Sequence, residues 1–590
     1  MPEIVVALAQ MNSTIGDLDN NSAKIVDYYQ QAVRVGADIV AFPELCLTGY
    51  PPEDLLLKPE FVRASTEGIS RIARQTGDTI AVVGFAEADS DTFNSAAVMS
   101  RGKIVCIYRK TFLPNYGVFD EKRYFGAGKK NVVLQIGDVR LGVTICEDIW
   151  FPGGPLEAQV AGGGAELILN LSASPFNRGK HAYRRKLIAA RSIDGPAVLA
   201  YVNMVGGQDE LVFDGGSCIH HPQLGFIATA PRFREALLVS QVDLTPLRRA
   251  RALEPRYRHG DSVRAGENPQ VFMLELPVKG FNGRQSVQPA AQSRELDQIE
   301  EIFEALLLGL RQYMSKNGFL KVVIGLSGGV DSALVSALAV EAVGAENVTC
   351  VFMPSRYTSE ISASSAKKLA ANLGVGLLTI PIEKIFLAYR ESLPESTGHS
   401  WADHTLENVQ ARIRGNILMA LSNRFGWLVL VTGNKSELSM GYCTLYGDMA
   451  GGFALIKDLF KTQAYKVAEH MNNRAGNDII PRDIIERKPT AELREDQLDT
   501  DTLPPYEELD PVLEAYVEEG MSAQEIMEMG FSRELVRRVI SAVDGNEYKR
   551  RQAPVGVKIT SRAFGRDWRM PISKYQGMPF YGKRAAGLSE

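Results

Sequence analysis

Cysteine is scarce in this chain: six among 590 residues, at positions 46, 106, 146, 218, 350 and 443. No two stand at CxxC spacing, which argues against a zinc ribbon or a disulfide framework and for reduced thiols in a cytoplasm. Histidine is also rare, with seven in all, and the adjacent pair His220–His221 lacks a metal-ligand spacing. No apolar run approaches the ~18 residues that read as a membrane span. The opening MPEIVVALAQMN has no basic n-region, and Glu3 argues against a signal peptide. Lys plus Arg number 65 against 70 Asp plus Glu, so no basic field draws nucleic acid. There is no internal repeat and no GxxxxGK[ST] phosphate loop. What remains is an ordinary globular composition, 45% hydrophobic and 23% charged. At roughly 150 residues per domain the length allows several domains.

The first half alternates short apolar runs with helical patterns. EIVVALAQ, ADIVAFPE, DTIAVVGF, SAAVMSRGKIVCIYRK, VRLGVTIC, AELILNLSAS and PAVLAYVNMVG read as strands, and NNSAKIVDYYQQAVRVGA as a helix. Mixed hairpin-like and βαβ-like connections predict a layered α/β unit over residues 1–276. Gly, Pro, Gln and Ser in VKGFNGRQSVQPAAQS predict a linker over 277–293. LRRARALEPRYRHG, from Leu247 to Gly260, reads as a solvated linker or a subunit contact. From 294 to 590 the pattern is stricter. An amphipathic helix, RELDQIEEIFEALLLGLRQYMSKNG, precedes alternating strands and helices, which predicts a doubly wound parallel sheet. ELREDQLDTDTLPPYEELD, acidic and Pro-containing, reads as a surface loop or lid.

Chemistry concentrates in three stretches. VVIGLSGGVDSALV sets Gly325, Leu326, Ser327, Gly328, Gly329, Val330, Asp331 and Ser332 between a strand and a helix. Glycines there let backbone N–H groups converge on an anion, and the helix N-terminus adds positive potential. Asp331 stands where phosphate should bind, which makes sense with a divalent cation between them. Gly-rich turn and Asp cap is the bland alternative. LVTGNKSELSMGYCTLYGDMAGGF would carry Thr432, Asn434 and Glu437 to the same rim. The third stretch is LGVTICEDIWFPGG, where two carboxylates follow Cys146 and disfavour its thiolate. A cation must then reach the sulfur. Lys110, after the strand KIVCIY, is the candidate, and Glu44, after another strand end in AFPELCLTGY, could serve as general base. Glu147 and Asp148 would point away, leaving backbone N–H groups beside Cys146.

SGGVDSA resembles the pyrophosphate loop of the ATP pyrophosphatase family. With ENVQARIRGN and RKPTAEL, most of residues 295–560 resembles the NAD synthetase family. That resemblance implies a Rossmann-like sheet and cleavage of ATP to AMP and pyrophosphate. It implies magnesium on Asp331 and Glu437, ATP contacts from the 325–332 loop, Thr432, Lys461 and Thr490, and deamido-NAD contacts from Asn408, Arg414, Glu437 and Lys549. The contexts of Glu44, Lys110 and Cys146 together resemble the Glu-Lys-Cys triad of the nitrilase (carbon–nitrogen hydrolase) family, roughly from Ile4 to Leu276. This implies an α-β-β-α layered fold, Glu121 as a supporting acid, and glutamine held by Tyr116, Ser174 and Lys180. Together the halves resemble the glutamine-dependent branch of NAD synthetases: a ligase with glutamine, ATP and deamido-NAD as substrates, a homo-oligomer, and no membrane or nucleic-acid partner. The alternatives are an amidotransferase of the same build acting on another adenylated carboxylate, and a nucleotide sensor with a dead amidase half.

Overall fold

The computed structural model describes residues 3–253, 270–274, 293–392, 403–495 and 497–574. The expected linker lies outside these residues except for Ser293. Two compact units emerge: Met1–Gly206 with Val212–Leu296, and Gly207–Leu211 with Asp297–Glu590.

The strands of the first half, in chain order, are β1 (Glu3–Gln10), β2 (Ile39–Ala41), β3 (Ile80–Ala88), β4 (Thr92–Ser100), β5 (Lys103–Arg109), β6 (Val132–Ile136), β7 (Val139–Ile145), β8 (Leu167–Ser172), β9 (Val198–Asn203), β10 (Val205–Gln208), β11 (Leu211–Asp214), β12 (Cys218–His221), β13 (Gly225–Thr229), β14 (Ala236–Asp243) and β15 (Gln270–Leu274). They form a six-stranded sheet, β14-β1-β2-β3-β4-β5, and a seven-stranded sheet, β13-β12-β9-β8-β7-β6-β15, besides the pair β10-β11. The two sheets share one inner layer: Val6, Leu8, Ile39 and Val82 from one, Leu141, Val143, Leu169 and Val202 from the other. Helices α1 (Leu18–Arg34) and α2 (Pro59–Ala73) lay Ile25, Tyr29, Ile69 and Ile72 on the outer face of the first sheet. Helices α3 (Pro155–Ala161) and α4 (Lys180–Asp194) cover the second with Leu156 and Ile188. This is the expected α-β-β-α layering. Because both faces of β1 are covered, its residues are apolar on both, and EIVVALAQ reads as an unbroken run rather than an alternation. Each fully buried Val or Leu contributes roughly 1.5–3 kcal/mol.

The basic run begins inside helix α5 (Thr245–Leu253), not in a linker. Arg248 pairs with Glu166 at 2.6 Å and with Asp138 at 3.0 Å, and Arg251 donates to the carbonyls of Ala165 and Pro196. These arginines clamp a helix to its own unit; residues 254–260 lie outside the described part.

In the second unit α6 (Gln298–Asn317) opens with a capping box. Asp297 accepts from Ile299 N and Glu300 N, and Glu300 accepts from Asp297 N in return. Five parallel strands follow: β16 (Val322–Gly325), β17 (Val348–Phe352), β18 (Gly376–Thr379), β19 (Leu428–Val431) and β20 (Phe453–Ala454), in the order β18-β17-β16-β19-β20. They alternate with α7 (Val330–Val343), α8 (Glu360–Leu373), α9 (Glu383–Ser392), α10 (Asp403–Phe425), α11 (Lys435–Met440) and α12 (Lys461–Ala475). The strand order reverses between β16 and β19, the position where open α/β sheets bind ligands. Only the end of the acidic stretch 492–510 departs from the expected surface loop or lid. Its end enters helix α13 (Tyr506–Leu513), and Leu503, Tyr506 and Leu509 join a core with Val536, Val539 and Val543. The many acids hid the apolar spacing 503, 506, 509, 512, 513, which faces inward while Glu507 and Glu508 face water.

Candidate active sites

In the first unit Glu44 lies just past β2, Lys110 directly after β5, and Cys146 directly after β7. Lys110 Nζ lies 2.6 Å from Glu44 Oε1 and donates at 2.8 Å to both carboxylate oxygens of Glu121. Asn94 Nδ2 and the Ala173 N–H donate to the two oxygens of Glu44, and Tyr50 OH donates to Glu121 at 2.9 Å. All four expected catalytic groups are buried, Glu44 and Lys110 at 0% and 1% exposure. The sharp turn carrying Glu44 requires glycine at 84 on β3: a Cβ there would lie 2.4 Å from Pro43 O and 2.5 Å from Leu45 N.

Cys146 opens a one-turn 3₁₀ segment, Cys146–Ile149, with φ +41°, a left-handed conformation that costs a non-glycine residue of order 1–3 kcal/mol. Asp148 sustains it. Its carboxylate accepts from Ile145 N at 2.9 Å, Phe112 N at 2.9 Å, Thr111 N at 3.1 Å and Tyr108 OH at 2.6 Å. That acid is therefore spent on organising the turn. Glu147 accepts from Tyr116 OH at 2.8 Å, yet its charge still acts on the sulfur.

Burial first, and then the negative charge of Glu44, hold the Cys146 thiol well above its ordinary pKa, and Lys110 opposes them without prevailing. Burial pulls Lys110 down, but Glu121 and Glu44 outweigh it and keep the ammonium charged. Burial pushes Glu121 up to about 7 against the pull of Lys110. The sulfur thus starts as a thiol, and its proton must leave during attack. Of the three residues expected to hold glutamine, Tyr116 is 54% exposed and tied to Glu147, Ser174 is buried with its N–H on Asn203 Oδ1 at 2.9 Å, and Lys180 donates to Pro175 O at 2.9 Å.

In the second unit the glycine loop follows β16 as expected. Gly328 has φ +88°, and a Cβ on it would meet Ser362 O at 2.7 Å. Ser332 Oγ is turned inward to Ser327 and Gly329. Two cavities of about 210 and 230 Å³ share Ser327, Val431, Thr432, Asp448 and Glu492 on their walls. Asp331, Glu437, Lys461 and Thr490 line the first; Gly325, Leu326 and Arg414 line the second, beside Phe352, Met353 and Leu418. Burial pulls Arg414 down to about 10, and its Nε donates to Met353 O at 3.1 Å.

Lys461 Nζ donates to Asp331 Oδ2 and lies 3.5 Å from Glu437 Oε1. Asn434 caps α11 through Glu437 N and also donates to Asp331 at 3.2 Å. Burial, then the charges of Asp331 and Asp499, push Glu437 up to about 8 against the opposing Lys461. Asp331 Oδ1 is buried without a hydrogen-bond donor.

Two expected deamido-NAD residues are engaged elsewhere and line neither cavity. Lys549 Nζ donates to the Gly441 and Cys443 carbonyls, closing the end of α11. Asn408 Oδ1 accepts from Thr444 Oγ1 at 2.8 Å. The sequence reasoning gave no role to Tyr50 and Asn94 in the first unit or to Asp499, Arg487 and Glu492 in the second, and read Asp148 only as an acid pointing away from the sulfur. Arg487 and Glu492 both lie inside the quoted RKPTAEL, whose charged residues beside Thr490 were the available signal.

The fold and the two sites define a class: a thiol amidase of the nitrilase type carried on one chain with a nucleotide-binding parallel sheet. Family models agree, with carbon–nitrogen hydrolase matching residues 5–252 and NAD synthase residues 302–553. The chain is 48% identical over 579 residues to the glutamine-dependent NAD(+) synthetase of Thermotoga maritima, spanning 97% of this chain and 99% of that one. It is 46% identical over 574 residues to the Aquifex aeolicus enzyme of the same name, spanning 96% and 99%. A solved glutamine-dependent NAD+ synthetase from Acinetobacter baumannii, in complex with adenosine diphosphate, superposes with TM-score 0.72 at 38% identity, covering 97% of this chain and 98% of that one. This chain belongs to the glutamine-dependent NAD(+) synthetases.

Proposed function

We propose that the chain makes NAD from deamido-NAD, ATP and glutamine with the residues described above. Glu44 takes the proton of the Cys146 thiol as the sulfur attacks the glutamine side-chain amide, and Lys110 faces the oxyanion. The C–N bond breaks as Glu44 returns the proton to nitrogen, releasing ammonia. Water, deprotonated by Glu44, then cleaves the thioester to glutamate and restores the thiol. A thiol held protonated by burial requires such a base, which favours Glu44 in that role. Glu121 and Tyr50 keep Lys110 charged and in place.

In the second unit the nicotinate carboxylate attacks the α-phosphorus of ATP, pyrophosphate leaves onto the 327–332 loop, and ammonia displaces AMP from the acyl adenylate. Asp331 and Glu437 would hold a magnesium ion. The unpartnered Asp331 Oδ1 and the hard oxygen donors of the pair suit it, with other oxygens left to be supplied by nucleotide or solvent when it binds. Such an ion supplies neutralisation of phosphate charge. Among the described residues no group of three or more His, Cys, Asp or Glu side chains forms a protein-only metal site, in keeping with an ion that arrives with nucleotide. Thr432, Thr490 and the loop would contact ATP, and Arg414 the nucleotide in the apolar cavity.

The reading carries with it a cytoplasmic homo-oligomer with a dry passage for ammonia. Six unpaired cysteines favour a reducing compartment, and no helix among the described residues is long and apolar enough to cross a membrane. The carrying observation is the pairing on one chain of the Glu44–Lys110–Glu121 network beside Cys146 with the Asp331–Glu437–Lys461 cluster beside a glycine loop. Product analysis tests it: glutamate, NAD, AMP and pyrophosphate in equal amounts support the proposal, and ADP as the nucleotide product overturns it.

A further inference from the structure

The phosphate loop of the second unit has no lysine of its own, and its backbone abuts Ser362 through Gly328. A cation does stand on the same cavity wall. Arg487 lines the cavity with Ser327, Gly329 and Asp331, but its guanidinium is already engaged. Nη2 donates to Glu492 Oε1 at 2.7 Å and to Ser359 Oγ at 3.3 Å, while Nη1 donates to Ser362 Oγ at 2.6 Å. Glu492 also accepts from Ser362 Oγ at 2.9 Å and from Ser359 N at 3.4 Å. A guanidinium, a hydroxyl and a backbone N–H thus converge on one carboxylate, and these are the donors that phosphoryl oxygens take elsewhere. Glu492 is itself on the cavity wall, with its side chain only 16% exposed.

We propose that Glu492 is an internal stand-in for a phosphate, occupying Arg487 until the polyphosphate of the nucleotide displaces it. The proposal rests on the assignment of ATP and pyrophosphate to this unit. A phosphate beside Arg487 and the Glu492 carboxylate repel one another, so the two anions compete for the same donors. Polyphosphate entry moves Glu492 off the guanidinium, and Arg487 then binds the pyrophosphate portion as the cation the loop lacks. The contact therefore holds the empty site shut to adventitious anions and weakens its grip on pyrophosphate, which favours release after adenylation.

Glu492→Gln, Arg487→Gln and the double variant, made in the full chain, separate the contributions, with Glu486→Gln as an exposed neighbouring control. Inorganic pyrophosphate, ATP and AMP, each with magnesium, are titrated calorimetrically, and glutaminase activity reports that the chain is folded. Glu492→Gln should tighten pyrophosphate and ATP about tenfold and leave AMP unmoved. Arg487→Gln should weaken pyrophosphate about tenfold, and adding Glu492→Gln to it should then change nothing further. Unchanged or weaker pyrophosphate binding by Glu492→Gln overturns the proposal, as do additive effects in the double variant or an equal gain from Glu486→Gln. If pyrophosphate moves and ATP does not, the contact acts on the product rather than on the entering nucleotide, and displacement by ATP is refuted. A parent chain that binds neither ATP nor pyrophosphate defeats the assignment of the unit itself, a result distinct from failure of the Glu492 variant alone.

Discussion

Both units build a site around a lysine between carboxylates, and the two are finished to different degrees. Lys110 and its partners Glu44 and Glu121 are sealed from water, and donors from Asn94, Ala173 and Tyr50 complete the carboxylates. Lys461 pairs with Asp331 and Glu437 on the wall of an open cavity, one Asp331 oxygen lacks a donor, and Glu437 is pushed up to about 8 by burial and its neighbouring acids. The closed network is a complete arrangement of charges ready to act on a neutral amide. The open one keeps a carboxylate oxygen without a donor and a carboxyl whose ionisation burial opposes, groups that suit an incoming cation and the charged nucleotide with it. A site for a neutral amide can be preassembled with its acceptors filled, whereas a site for ATP keeps an acceptor open for the ion that accompanies it.

The contrast can be broken most severely at the nucleophile. Cys146→Ala should lower glutamine-supported NAD formation by about 10⁴-fold while NAD formation with added ammonium persists, measured side by side. Loss of both would assign the cysteine a folding role. Chelation of divalent metal should strike only the open site: NAD formation should fall about 10³-fold, and basal release of glutamate without nucleotide should continue. Equal loss of both reactions would remove the distinction between the units.

Substituting the two lysines probes the same difference through stability. Lys110→Met leaves two buried carboxylates unpaired and should cost about 3–5 kcal/mol in denaturant unfolding. Lys461→Met, on the wall of an open cavity, should cost about half as much. Just below pH 6.5 the smallest effect lies in the other buried charge network of the first unit. His181 sits 6% exposed beside Arg184 and Asp214, and burial lowers its pKa to about 3. Below pH 6.5 the unfolded chain protonates this histidine while the folded chain resists, so stability falls with falling pH down to about 3. Relative to the parent, His181→Asn should gain up to about 1.4 kcal/mol for each pH unit below 6.5, read by urea unfolding. A pH-independent difference between the two proteins would contradict the buried, neutral histidine.

Much of this was visible in one dimension. Strands buried on both faces announce themselves as short apolar runs, and β1, β7, β8 and β16 appear where their residues indicate. Chemistry placed just after such runs, at Glu44, Lys110, Cys146 and Asp331, was visible for the same reason, since strand ends are where a layered fold gathers side chains. Other assignments depended on partners remote in sequence. Asp148 looks like a hindrance beside Cys146, yet four donors from Tyr108, Thr111, Phe112 and Ile145 claim it. Lys549 looks like a ligand contact, yet carbonyls more than a hundred residues earlier hold it.

Residue order alone therefore marked the apolar strands, a layered α/β first half, a parallel sheet in the second half and the types of reactive group, because periodicity and strand ends are local properties. Which carboxylate stays charged, which lysine faces a cavity and whether the sulfur rests as a thiol depended on the folded chain. Burial and Coulomb forces act through space, and their balance at Cys146 and Glu437 comes from neighbours that no local pattern specifies.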